Sequence, residues 1–142
     1  MGSIEALWVN VSSGSPAIRV ESVRMVDGYG IEGDRSSKPG SLRQVLIVSG
    51  EVLDSFGLEA GQIKENITVR GLDVDSLPRG TRLQVGEAVL ETTLACTPCG
   101  LLDDIRPGLR EEIRGQRGML CRVLQGGTVR KGDRIAIRND QG

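Results

Sequence analysis

The chain has 142 residues with 18 basic and 19 acidic side chains, a net charge of -1, so its overall field does not gather nucleic acid. Aromatic residues are confined to Trp8, Tyr29 and Phe56, which removes the stacking platform of a single-strand binder. Histidine is absent, which excludes Ser-His and Cys-His catalytic pairs and imidazole metal ligands. The length suits one domain over residues 1–142. No apolar run approaches the roughly 18 residues of a membrane span, and no basic-then-apolar N-terminus reads as a secretory signal. With three cysteines, an odd count, these features predict a reducing, cytoplasmic setting.

Twenty glycines, spread at turn-like intervals between short apolar runs, predict many short strands joined by tight turns. Strands are expected over residues 4–11 and 20–25. Residues 44–48 (QVLIV) form a continuous, β-branched apolar run that suits a strand buried on both faces. Ser49 is placed to cap a helix over residues 50–56, with Val52, Leu53 and Phe56 buried and Gly57 as its stop. Strands follow at 66–69, 82–85 and 88–92, with Val85-Gly86-Glu87-Ala88 as a tight hairpin. A second helix is expected over 109–114, Leu109 and Ile113 sharing its buried face. Strands at 119–124 and 134–137 close the series, with residues 128–133 as the turn between them. The pattern is a mainly β fold, a barrel with short edge helices.

Chemistry concentrates at Cys96-Thr97-Pro98-Cys99-Gly100. A thiolate is a strong nucleophile and a soft metal ligand, and neighbouring positive charge makes it available. Arg106, Arg110, Arg114 and Arg117 follow within the next eighteen residues; any that face Cys99 would lower its pKa and hold an anion nearby. A thioredoxin-like dithiol would stand at a helix start after a βαβ pattern, and that pattern is not expected here. A zinc cage needs four ligands, and only Cys121 remains to join the pair. Cys121 lies in an apolar run and reads as core; Cys96 is balanced between packing and function; Cys99 reads as functional. Gly28 to Arg35 contains G-x-G-x-x-G, but a Ser/Lys/Pro/Gly loop follows instead of a helix, which argues against a dinucleotide site. This loop reads as a turn in which Asp34 bonds local amides, or as a pocket wall for an anion with Arg35.

Taken in order, Gly30-x-Glu32-Gly33-Asp34-Arg35, Arg43-Gln44-Val45, Glu65-Asn66-Ile67 with Gly71, Pro98-Cys99, Arg117-Gly118 with Val123 and Gly126-Gly127, and Lys131-Gly132-Asp133 resemble the MOSC family, named for the C-terminal domain of molybdenum cofactor sulfurase. The resemblance runs from Glu5 to Ile137 and is to the small stand-alone bacterial type. It implies a closed or partly open β-barrel of short, mostly antiparallel strands with two or three short helices. It also implies the molybdenum cofactor (molybdopterin) as ligand, Cys99 as metal ligand or persulfide carrier, and Arg35, Arg43, Glu65, Asn66, Arg117 and Gly118 as cofactor-binding residues. The implied activities are reduction of N-hydroxylated compounds or metal-sulfur cofactor assembly, and pyridoxal phosphate binding attaches to the family as a whole. The implied partner is a cofactor or sulfur donor such as a cysteine desulfurase, with a homodimer left open. Ser36 stands where relatives often carry a histidine, which supports the alternative of a non-catalytic binding module on a degenerate barrel.

Overall fold

A computed structural model describes residues 2–139. Its strands are β1 (Gly2–Val9), β2 (Ile18–Val20), β3 (Ser22–Val26), β4 (Gly30–Ile31), β5 (Val45–Ser49), β6 (Ile67–Arg70), β7 (Arg82–Val85), β8 (Ala88–Ala95), β9 (Met119–Gln125), β10 (Gly127–Arg130) and β11 (Arg134–Ile137). Three short helices join them, α1 (Gly50–Ser55), α2 (Gly100–Ile105) and α3 (Leu109–Glu112), with a 3-10 turn at Val74–Ser76. Seven strands close a barrel in the order β11-β7-β8-β9-β5-β6-β1, and β1 pairs back onto β11. Closure leaves these strands no open edge. Strand β2 hangs on β1, and β10-β3-β4 make a small second sheet. The fold is the mainly β barrel expected, antiparallel except where β5 and β6 run parallel across α1.

Strand β5 shows why the chain folds this way. Its five residues are all buried, and their alternation serves two cores. Val45 and Ile47 face the barrel interior with Ile67, Leu90, Met119 and Cys121. Leu46 and Val48 face outward, beneath a cover of Leu53, Ile63, Leu102, Leu109 and Ile113. Each such side chain contributes about 1.5–3 kcal/mol by leaving water, and the outer group pins the helices to the barrel wall. The hairpin at Gly86 is also as read, with φ of 54° at the glycine.

Four local expectations are corrected. Residues 20–25 are not one strand: the chain breaks at Glu21, because β2 pairs with β1 beside the barrel and β3 belongs to the second sheet. Residues 128–133 are not all turn; Val129 is fully buried and pairs with Val23, so β10 continues to Arg130 before Lys131 and Gly132 turn. Ser49 occupies the N-cap position of α1, but its hydroxyl donates to Glu51 Oε1 and caps no backbone N–H. A βαβ pattern is present after all, since β5, α1 and β6 form a parallel unit; the Cys96–Cys99 pair lies elsewhere, at the start of another helix. Cys99 precedes α2, which forms because Leu102 is driven into the outer core.

Candidate functional site

A cavity of about 340 Å³ lies on the outer barrel wall, over Leu46 of β5 and Leu120 of β9. Its rim comes from strand ends and loops: Asn10 after β1, Arg35, Ser36 and Arg43 from the β4–β5 loop, Lys64 and Asn66 before β6, Cys96, Thr97 and Cys99 after β8, Leu101 of α2, and Arg117 before β9. Four cations and no carboxylate line it among the described residues. A concave site of one charge sign favours an anion over bulk solvent.

Arg117 is the most constrained of these groups. It is only 5% exposed, and its Nη2 donates to Ile63 O at 2.9 Å. Its Nε and Nη1 have no partner among the described residues. A buried guanidinium with unmade hydrogen bonds is costly unless something completes them. The next residue, Gly118, has φ of 117°, and a Cβ there would come within 2.8 Å of Ile47 O. Its N–H donates to Asp75 Oδ1 at 2.9 Å. Burial pushes the Asp75 carboxyl up, partly offset by that hydrogen bond.

A second network shapes the opposite wall. Asp34 is buried and accepts from the Asn10 N–H at 2.7 Å, Asn66 Nδ2 at 2.9 Å and the Ser36 N–H at 3.0 Å. Asn66 Oδ1 accepts from the Leu46 N–H at 2.9 Å, and its Nδ2 also reaches Trp8 O. One amide thereby ties β1, β5 and the Asp34 loop together. Glu65 lies behind this wall, with Oε2 accepting from the Gly61 N–H and Thr68 Oγ1, each at 2.8 Å. Thr68 in turn accepts from Trp8 Nε1. Burial pushes the Glu65 carboxyl up, against the pull of those hydrogen bonds and of Arg117. Gly61 is held by the same packing, since a Cβ there would meet the Trp8 ring at 2.7 Å.

The three cysteines separate cleanly. Cys99 is exposed, Cys96 half-buried and Cys121 fully buried. Burial pushes the Cys96 thiol up, while Arg117 and Arg43 pull it back down. Burial alone drives the Cys121 thiol far up, so it stays an uncharged core side chain.

Of the residues expected at the site, Cys99, Arg35, Arg43, Asn66 and Arg117 meet on this cavity, and Glu65 and Gly118 stand behind its wall. The arginines after the cysteine pair mostly turn elsewhere. Arg106 is bound to Phe56 O and Glu112, Arg114 pairs with Glu111, and Arg110 is exposed on α3. Only Arg117 of the four reaches the cavity. Sequence reading missed Asn10 and Lys64. Lys64 is the one non-glycine residue with positive φ (68°) among the described residues, a strain that often accompanies functional sites.

Fold and cavity together define a class: a closed β-barrel bearing an exposed cysteine among cations on its outer wall. The chain belongs to the MOSC domain family, whose model matches residues 32–136. Among solved structures, the YUAD protein from Bacillus subtilis is 21% identical with a TM-score of 0.81, over 99% of this chain and 97% of that one. YiiM from Geobacillus stearothermophilus is 20% identical at TM-score 0.77, over 98% of this chain and 76% of that one. YiiM from Escherichia coli is 19% identical at TM-score 0.74, over 99% and 71%. At these identities the likeness is one of fold. Comparison with curated proteins gives no match.

Proposed function

We propose that the chain binds the molybdenum cofactor in the Cys99 cavity, with Cys99 as the thiolate ligand and Arg117, Arg43, Arg35 and Lys64 around the anionic phosphate. The carrying observation is Arg117: it is buried and charged, two of its nitrogens are unpaired, and it lines the cavity that also presents an exposed thiol. The donor set fits the group. A soft sulfur suits molybdenum, and planar guanidinium donors suit phosphate oxygens. Among the described residues no cluster of three or more His, Cys, Asp or Glu side chains could hold a bare metal ion, so a metal here would come with ligands of its own.

Each residue then has a task. Cys99, on the exposed turn into α2, supplies one sulfur. Arg117 orients the anion from beneath, and Arg35 and Arg43 approach it from the loop on the other side. Asp34 and Asn66 hold the loop backbone at Asp34 to Ser36 against β1 and β5, which places Arg35 at the cavity rim. When bound, the cofactor would supply two-electron redox chemistry, and N-hydroxylated compounds are the substrates to assay.

A second reading, sulfur carried on Cys99 as a persulfide received from a cysteine desulfurase, draws on Cys96. That thiol lies on the same cavity and is close enough to Cys99 to feel its charge. Anaerobic purification from cells that make the cofactor, followed by metal analysis and mass measurement, tests both. Molybdenum with a pterin at one per chain supports the cofactor reading. One added sulfur on Cys99 without molybdenum supports the carrier. Neither in repeated preparations would remove both and leave a non-catalytic module.

A further inference from the structure

Asn10, which also lines the cavity, carries a second unmet bond. It is 3% exposed at the end of β1, and its orientation is set from two sides. Its backbone N–H donates to Asp34 Oδ1, and its Nδ2 donates to Lys64 O at 2.9 Å. With the amide so oriented, Oδ1 is an acceptor, and it has no partner among the described residues. Asn10 and Arg117 are anchored on consecutive carbonyls: Lys64 O takes the Asn10 amide, and Ile63 O takes Arg117 Nη2. Both side chains line the same cavity, so one small molecule bound there can meet the two. The segment that spaces them is itself fixed, with Lys64 held at positive φ and its ammonium bound to Ser15 O. One polar group on the cavity wants a negative partner, and its neighbour wants a hydrogen-bond donor.

We propose that Asn10 determines specificity in this cavity: its Oδ1 accepts a hydrogen bond from an N–H or O–H group carried beside the anionic group that Arg117 holds. The site thereby selects organic anions with a neighbouring donor over anions of the same shape without one. A site built to make a hydrogen bond discriminates against the analogue that lacks it, because the buried protein group is then left unpaired. This inference rests on the anion-binding part of the proposed function, and it does not depend on whether molybdenum is present.

The test uses two probes of nearly equal shape, phosphonoacetamide, which offers an amide N–H₂, and acetonylphosphonate, which has a methyl group in its place. Both are titrated into the full chain by calorimetry at one pH and ionic strength, with inorganic phosphate as a third arm. The expected result is that phosphonoacetamide binds about fivefold more tightly or better, and that Asn10→Leu brings the ratio to about one. A purely structural role for Asn10 would weaken both probes together and leave the ratio standing. Equal affinities in the unaltered protein, or a ratio that survives Asn10→Leu, would overturn the proposal while leaving the anion site intact. If neither probe nor phosphate binds, the anion reading fails and this inference with it. Should Asn10→Leu fail to fold, the ratio in the unaltered protein decides alone.

Discussion

Two buried polar side chains in different parts of the molecule have met the same problem in different ways. Gln44, 1% exposed in the seam beside the small sheet, is fully spent. Its Nε2 donates to Gly28 O and Lys38 O, and its Oε1 accepts from the Val123 N–H. Arg117, nearly as buried, makes one hydrogen bond and leaves two nitrogens unmatched. The other unpaired buried side-chain atoms among the described residues belong to Asn10, Glu65 and Asp75. Asn10 shares the cavity with Arg117, Glu65 feels the charge of Arg117, and Asp75 holds Gly118. Since most buried polar groups in folded proteins are paired, unmet bonds gathered on and just behind the cavity lining distinguish a region kept for a ligand from one that only holds strands together.

The contrast can be broken by substitution, and the largest expected effect is at sulfur. Cys99→Ser should abolish molybdenum loading or persulfide formation, read by metal analysis and mass. Cys121→Ser should leave loading in place but cost about 1–3 kcal/mol in denaturant unfolding, because it buries a hydroxyl among Val45, Ile47 and Val123. Ile47→Ala, inside the barrel, should cost about 2–5 kcal/mol of stability. Arg117→Met sharpens the comparison from the other side. Binding of a phosphate-bearing ligand should fall about 10- to 100-fold, while the melting temperature holds or rises, since a buried and incompletely paired charge is removed. A drop in melting temperature comparable to Ile47→Ala would mean that Arg117 is structural.

The smallest effect concerns Glu65. Its folded pKa is raised by burial above the ordinary value, so the folded state favours the protonated form. The stability it contributes is complete below the unfolded pKa and is lost as pH rises through the folded one. Glu65→Gln has no proton to lose. Its stability relative to the unaltered protein should therefore improve as pH rises above the ordinary carboxylate range and level off once the folded carboxyl has ionised, read by urea melts. A gap that stays flat with pH would place the Glu65 carboxyl at its ordinary value.

Much of this architecture was visible in the residues themselves. Residues 82–85 and 134–137 coincide with β7 and β11, because a two-residue period bounded by glycine turns is a strong local signal. QVLIV announced a strand with two buried faces, and the barrel interior and helix cover supply them. Helix α2 was not visible: its six residues have no side-chain cap, and it exists because Leu102 packs against other elements. The same limit applies to charge. Arg106, Arg110 and Arg114 are nearer Cys99 in sequence than Arg35 is, yet the turns around α3 direct them to Phe56, Glu112, Glu111 and solvent. Asn10 and Lys64 gave no warning at all. A single asparagine after a strand is ordinary, and its unmet acceptor appears only when Asp34 and Lys64 O arrive from distant parts of the chain.

The account turns on a metal-bearing anion seated between Cys99 and Arg117. An anomalous difference map recorded at the molybdenum absorption edge, from crystals of anaerobically prepared protein, addresses it most directly. A peak bonded to the Cys99 sulfur, with phosphate density against the Arg117 guanidinium, is the predicted result. Molybdenum located away from that sulfur, or a loaded protein whose Arg117 stays unpartnered, would contradict it.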